Sequence, residues 1–222
     1  MSVLVVGGSP EATAPELVAR LAEACDAVVA VDRGLDVLLA AGHGCDLFCG
    51  DADSVSEFGA ALVRAAEVGE RSGSGTLDIG EVERYDPYKD DTDLGLALRA
   101  ISERWGDAPL VCACLSGGKP DHALAVLGRL VAWPGAVALE EDAFSARMLR
   151  AGEAWQIEDA VGQRFSFVPL APNAVVSESG MEWNLDHHAA PLLSDLGISN
   201  VIRSPKAQIT CHSGALAAWL FR

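Results

Sequence analysis

Short β-branched runs alternate with helical patterns through the first ~140 residues, and this alternation constrains the fold more than any other feature. Val3 to Val6, Ala27 to Val31, Leu47 to Cys49, Glu81 to Tyr85, Leu110 to Cys114 and Ala136 to Leu139 read as strands. Between them, Pro15 to Ala24, Leu35 to Ala41, Glu57 to Val68, Thr92 to Trp105 and Asp121 to Trp133 carry helical spacing, with Pro15 in a first turn and Thr92 as an N-cap. Arg71 to Gly80 is a Gly/Ser-rich loop. Repeated βα units imply a mainly parallel, Rossmann-like sheet covered by helices, so the expected fold class is α/β for this part of the chain.

After about Asp142 the pattern changes. Ala146 to Arg150, Ala154 to Glu158, Arg164 to Val168, Ala174 to Ser177, Ser199 to Arg203, Gln208 to His212 and Ala215 to Phe221 are strand-like, and turn signals separate them. A C-terminal all-β sandwich is expected, with domains at 1–142 and 143–222. Trp155 and Trp219 fall inside strand patterns and read as core. Trp183 also reads as core on pattern alone, and His187-His188 as exposed loop.

The chain has 222 residues and a formal net charge of −16, which disfavours nucleic acid and anionic membranes as partners. No stretch reaches the ~20 apolar residues that span a bilayer. The first residues lack the basic region of a secretory leader, so a cytoplasmic protein is expected. Cys25, Cys45, Cys49, Cys112, Cys114 and Cys211 show no CxxC pairing and are expected to be reduced, mostly buried thiols; a zinc site is the sharper but weaker alternative.

Acidic residues gather in the turns that follow predicted strands. Asp32 follows the second, Gly50-Asp51-Ala52-Asp53-Ser54 the third, Lys89-Asp90-Asp91-Thr92-Asp93 the fourth and Ser116-Gly117-Gly118-Lys119-Pro120-Asp121-His122 the fifth. In an open parallel sheet these turns share the carboxyl edge, where such sheets bind ligands. Singly, each has a structural explanation, such as a strand end or a helix dipole. Together they place Asp32, Asp51, Asp53, Asp93 and Asp121 around one crevice, and such a cluster calls for a hard divalent cation, Mg²⁺ with substrate phosphates. Gly7-Gly8 and Gly117-Gly118 would let backbone N–H groups approach phosphate, with Lys89 and Lys119 supplying positive charge. Neither GxGxxG nor GxxxxGK[ST] is present, which disfavours a dinucleotide fingerprint and a Walker-type loop.

These motifs, in this order and spacing, resemble those of the thiamine pyrophosphokinases. So does Gly180-Met181-Glu182-Trp183-Asn184-Leu185 followed by Ile198-Ser199-Asn200, and the closing Gln208 to Leu220. The resemblance implies an N-terminal α/β catalytic domain, a C-terminal β-sandwich that binds thiamine and dimerises, and a homodimer with its active site between subunits. It implies transfer of a diphosphoryl group from ATP to the hydroxyl of thiamine, giving thiamine diphosphate and AMP. Asp51, Asp53 and Asp93 would hold Mg²⁺ and, with Lys119, serve catalysis. Gly8, Asp32, Ser54, Lys89, Asp90, Thr92, Gly118, Asp121 and His122 would shape the nucleotide site. Trp183 would lie against the thiamine rings, with Ser199 and Asn200 nearby. The sequence departs from the family's pattern at Arg33-Gly34-Leu35-Asp36, Ala52, Lys119 and Val126. Those departures bear on the acceptor more than on the metal residues. They leave open another hydroxymethyl heteroaromatic acceptor, such as a pterin, or a non-catalytic nucleotide or thiamine sensor.

Overall fold

The computed structural model describes residues 1–11, 13–69, 77–86 and 90–222, and the chain divides into two compact units, Met1–Val126 and Leu127–Arg222. In the first unit, β1 (Val3–Val6), β2 (Ala27–Val31), β3 (Cys45–Gly50), β4 (Ile79–Arg84) and β5 (Leu110–Ala113) are all parallel, in the order β5-β1-β2-β3-β4. Every residue of β1 is buried, because side chains on both faces are covered. Helices α1 (Pro15–Ala24), α2 (Gly34–Ala40), α3 (Glu57–Glu67) and α4 (Asp93–Trp105) connect these strands, and α5 (Pro120–Ala132) follows β5. These boundaries agree with the sequence reading to within two residues. Much of the Gly/Ser-rich segment and Lys89 lie outside the described residues.

Topology then fixes where a ligand can enter. Strands β1 to β4 progress in one direction from β1, while β5 lies on the other side of β1, so the order reverses between β1 and β5. The carboxyl edge at such a reversal opens a crevice, because successive connections leave in opposite directions. Backbones approach closely there. A Cβ on Gly7 would lie 2.7 Å from the Cys114 carbonyl oxygen, and one on Gly34 would lie 2.0 Å from that of Val6. No side chain fits either position without moving the strand.

The second unit is antiparallel. Strands β6 (Val137–Glu141), β7 (Phe144–Arg150), β9 (Arg164–Pro169), β12 (Asn200–Val201) and β14 (Ala215–Phe221) form one array in the order β12-β9-β14-β7-β6. The other contains β8 (Ala154–Glu158), β10 (Ala174–Ser179), β11 (Leu185–Ala190) and β13 (Lys206–Ser213), ordered β11-β10-β13-β8. Phe165, Phe167 and Leu216 from the first array pack with Val176, Ile209 and Cys211 from the second in one core, which is the expected sandwich. Trp155 packs against this core, its ring 6.0 Å from that of Phe165. Two readings are corrected. His187-His188 belongs to strand β11, not to a loop, and Trp183 is 63% exposed rather than core. No disulfide joins any of the six cysteines and five of them are buried, as expected; burial pushes the Cys49 thiol up to about 12. Among the described residues no helix is long and apolar enough to cross a membrane.

Candidate active site

Among the described residues, three non-glycine residues adopt left-handed backbone just beyond the strands of the parallel sheet: Asp32 (φ 48) after β2, Ala52 (φ 61) after β3 and Cys114 (φ 55) after β5. For residues with a Cβ this conformation is costly, and its recurrence along one edge marks the region where the fold is turned sharply to present side chains. The turn at Ala52 places the two flanking carboxylates together, and the Asp53 N–H donates to Asp51 Oδ1 at 3.1 Å. The turn at Asp32 brings a third carboxylate across from β2. One oxygen from each of Asp32, Asp51 and Asp53 lies within 4.8 Å of the others. Ser54 Oγ donates to Asp32 Oδ2 at 2.5 Å, while Asp32 Oδ1 is buried and accepts no hydrogen bond.

Burial raises the pKa of Asp32, and the charges of Asp93, Asp51 and Asp53 raise it further. Carboxylates so placed repel one another until a cation intervenes. Three hard oxygen donors, on a trio that includes the residue with an orphaned buried oxygen, suit a small divalent cation, Mg²⁺ in particular. The spacing of Asp51 and Asp53 was readable in sequence. So was the gathering of Asp32 with them at one sheet edge; how closely the three carboxylates meet was not, because that depends on the register that sets β2 beside β3.

Asp93 is the first residue of α4, and its field reaches Asp32. Thr92 caps that helix, its Oγ1 accepting from the Gly95 N–H at 3.1 Å. Asp91 is turned onto the same helix end, receiving the Thr92 N–H at 2.8 Å and lying 3.7 Å from Arg99. Of the neighbouring acidic residues, Asp91 thus has a structural duty, whereas Asp93 faces the cluster electrostatically. Asp90 is exposed just before this cap.

A cleft of about 340 Å³ opens at the strand-order reversal. Gly8, Ser9 and Pro10 from the end of β1 line one side, and Leu115, Gly117, Gly118, Lys119, His122 and Val126 line the other. Ser9 Oγ donates to the Ser116 carbonyl and ties the two loops together. Gly117 (φ 88) and Gly118 (φ 74) adopt left-handed backbone that only glycine accepts readily, and a Cβ on Gly117 would press on the Glu11 carboxylate. Gly118, Lys119 and His122 therefore line one cleft with Gly8. Asp121 is exposed in the first turn of α5 and belongs neither to the cleft lining nor to the carboxylate trio.

In the second unit, Trp183 stands out on the turn between β10 and β11. Asn200 is 4% exposed, and its side chain is committed to that turn: Oδ1 accepts from the Trp183 N–H at 3.2 Å and the Val201 N–H at 2.9 Å, and Nδ2 donates to the Trp183 carbonyl at 2.8 Å. Asn200 thus holds the tryptophan rather than presenting its amide outward. Ser199 is exposed with φ 64, anchored by its N–H to Ser166 Oγ at 2.9 Å.

Comparison with known proteins follows the same division. A family model described as "Thiamin pyrophosphokinase, catalytic domain" matches residues 18–138, and one described as "Thiamin pyrophosphokinase, vitamin B1 binding domain" matches residues 155–216. Among solved structures, thiamine pyrophosphokinase from Bacillus subtilis is 24% identical, with a TM-score of 0.77 over 100% of this chain and 99% of that one. Thiamin pyrophosphokinase from Candida albicans is 14% identical, with a TM-score of 0.77 over 100% and 90%. The yeast enzyme is 13% identical, with a TM-score of 0.72 over 100% and 86%. At these identities the likeness establishes the fold. No curated protein matches the chain.

Proposed function

This chain belongs to the thiamin pyrophosphokinase family, and from that premise we propose that it transfers a diphosphoryl group from ATP to the hydroxyl of thiamine, giving thiamine diphosphate and AMP. The observation that carries the reading is the convergence of Asp32, Asp51 and Asp53 within 4.8 Å at the sheet edge that also carries the glycine-lined cleft. The proposed catalytic domain is 1–142, and the proposed thiamine-binding and dimerising domain is 143–222.

Asp51, Asp53 and Asp93, with Asp32 beside them, would hold Mg²⁺. When bound, the ion supplies the positive charge that offsets phosphate oxygens on a strongly acidic protein. The Gly8 and Gly117-Gly118 loops receive the nucleotide, their backbones free of Cβ atoms where the ligand approaches. Thr92, Asp90, Ser54 and His122 complete the nucleotide side, and Lys89 is assigned there from the sequence. The hydroxyl oxygen of the acceptor attacks the β-phosphorus in line, the bond to the oxygen bridging the α- and β-phosphorus breaks, and AMP leaves. Lys119 takes part of the charge that develops, and positioning supplies most of the acceleration. Asp93 and Asp121 are the candidates to receive the hydroxyl proton. The exposed indole of Trp183 offers a flat face to a cationic heteroaromatic ring, with Ser199 at its side and Asn200 behind it.

A homodimer is the proposed assembly. Trp183, Leu192, Leu193, Leu196 and Ile198 are all large, apolar and exposed, which supports a partner on this stretch of the second unit.

The test is AMP release from Mg-ATP by the purified protein, with and without thiamine. Thiamine-dependent AMP, lost on adding a chelator, is the expected result. AMP released only with a hydroxymethyl pterin would move the acceptor. Tight binding of ATP and thiamine with no AMP release under any condition would overturn catalysis in favour of a sensor.

A further inference from the structure

Glu178 on β10 is a carboxylic acid at a position that the surrounding packing suits to a hydrocarbon. It is 3% exposed and lies opposite Ile209 of β13 and Leu185 of β11, which belong to or pack against the sandwich core. Its Oε1 is buried without a hydrogen-bond partner, and its Oε2 accepts a single long bond, 3.4 Å from Asn200 Nδ2. The ionisable side chains on the flanking strands are directed elsewhere. On β11, Asp186 pairs with His187; on β13, Lys206 pairs with Glu158 and His212 bonds Ser177. His188 of β11 and Arg164 of β9 make no hydrogen bond or ion pair with Glu178, and the Glu182–Arg203 pair next to the turn is closed on itself.

Among the described residues, the only polar group that reaches Glu178 is therefore the amide that fixes Trp183. Asn200 uses both hydrogens of Nδ2, one on the Trp183 carbonyl and one on Glu178, while its Oδ1 takes two backbone N–H groups. We propose that Glu178 is a positioning residue for the acceptor platform, acting through Asn200 to set how firmly the Trp183 turn is held, and that it does so differently with and without its proton. The proposal rests on the reading of Trp183 as the surface against which the acceptor stacks.

The chemistry gives the direction. An ionised Glu178 offers only acceptors, and Asn200 Nδ2 is its sole donor, so the charge draws the amide into place and stiffens the turn. A protonated Glu178 carries an O–H for which Asn200 Nδ2 is no acceptor, and its hold on the amide weakens. Burial pushes the carboxyl up to about 7, so the change falls near neutrality instead of in acid. The turn is then held more firmly as pH rises through neutral. The acceptor KM should fall over that interval, and the KM for ATP should not follow it.

The primary test needs no acceptor: the fluorescence of Trp183, read as the difference between the full-length protein and its Trp183→Phe variant, from about pH 5.5 to about 8.5. A sigmoidal change centred near neutrality, abolished in Glu178→Gln, is expected. Glu178→Leu, which removes the ionisable group without adding a donor, serves if the glutamine variant does not fold. A flat signal in the parent protein overturns the proposal. So does a transition that survives the loss of the carboxyl, which would belong to another group. Kinetics supply the second reading, a pH-dependent KM for thiamine that becomes flat in Glu178→Gln while the KM for ATP is unchanged. A Trp183 titration that depends on Glu178 in a protein that turns over no thiamine would overturn the acceptor assignment and uphold the coupling.

Discussion

Asp32 leaves β2 in a left-handed conformation, lends one oxygen to Ser54 and keeps the other buried without a donor. The Ser54 hydroxyl offsets only part of the cost of burying its charge, and the charges of Asp93, Asp51 and Asp53 add repulsion until a cation arrives. Mg²⁺ should therefore stabilise the folded protein by mass action, about 2.7 kcal/mol at a hundredfold excess over its Kd. Asp51→Asn should abolish that rise in Tm and lower turnover at least about a hundredfold, with the metal-free Tm little changed. Thermal melts with and without Mg²⁺, beside an AMP-release assay, check this. Glu178 makes a different pH-dependent contribution. Its folded-state pKa is raised, from 4.5 to about 7, so its contribution to stability is complete below about pH 4.5 and is lost as pH climbs to about 7. At about 1.36 kcal/mol per unit, the stability of Glu178→Leu relative to the parent should improve by up to about 3 kcal/mol between pH 5 and pH 8, measured by denaturant unfolding. The gathering of Asp32 with Asp51 and Asp53 at one edge was legible in sequence; the buried, donorless oxygen of Asp32 and the burial of Glu178 were not. Asp51 and Asp53 announce themselves by spacing, but Asp32 joins them from another strand, and Glu178 meets Asn200 from 22 residues away. Burial and long-range partners create both, and neither leaves a local pattern.

Two helices of the first unit begin on hydroxyl caps of the same construction. Ser56 Oγ accepts from the Gly59 N–H at 3.1 Å ahead of α3, as Thr92 Oγ1 accepts from the Gly95 N–H ahead of α4. Removing either hydroxyl should cost ~1 kcal/mol of stability, since one orphan N–H is exposed in each case. Their effects on turnover should differ. Thr92 precedes Asp93 at the carboxylate cluster, whereas Ser56, among the described residues, is bonded to Asp36 and its own helix. Thr92→Ala should lower kcat/KM for Mg-ATP well beyond its stability cost, and Ser56→Ala should leave it near the parent value; paired denaturation and kinetic measurements separate the two. Elements of this kind were legible: the cap at Thr92, Pro15 opening α1 and the apolar runs of β1 and β2 each carry a local signal that tertiary packing did not override. Strand β11 was not legible, because its residues from Asp186 to Ala189 are all exposed. An edge strand with no buried face lacks the period-two alternation by which strands are read, and its existence depends on pairing with β10.

Across the whole molecule, a net charge of −16 works against both proposed partners, an anionic nucleotide and a second copy of the same chain. Like-charged protomers associate only if apolar contact outweighs their repulsion. The exposed side chains of Leu192, Leu193, Leu196 and Ile198, with Trp183 nearby in sequence, are where such contact is available. The two contributions respond differently to salt. Screening shortens the reach of charge repulsion, to about 10 Å at 0.1 M, and leaves the apolar contribution almost untouched. A dimer built on this stretch should therefore tighten as salt is added, the reverse of one held by ion pairs across its interface. Sedimentation equilibrium from low to moderate ionic strength should show the dimer Kd falling by several-fold. Leu193→Asp combined with Leu196→Asp should be monomeric at every salt concentration. These side chains are already in water in the single chain, so the double variant should keep the parent's fold by circular dichroism. If the acceptor platform at Trp183 needs the second copy, that monomer should lose thiamine-dependent turnover while still binding Mg-ATP. A monomer that retains full turnover would show that each chain holds a complete site.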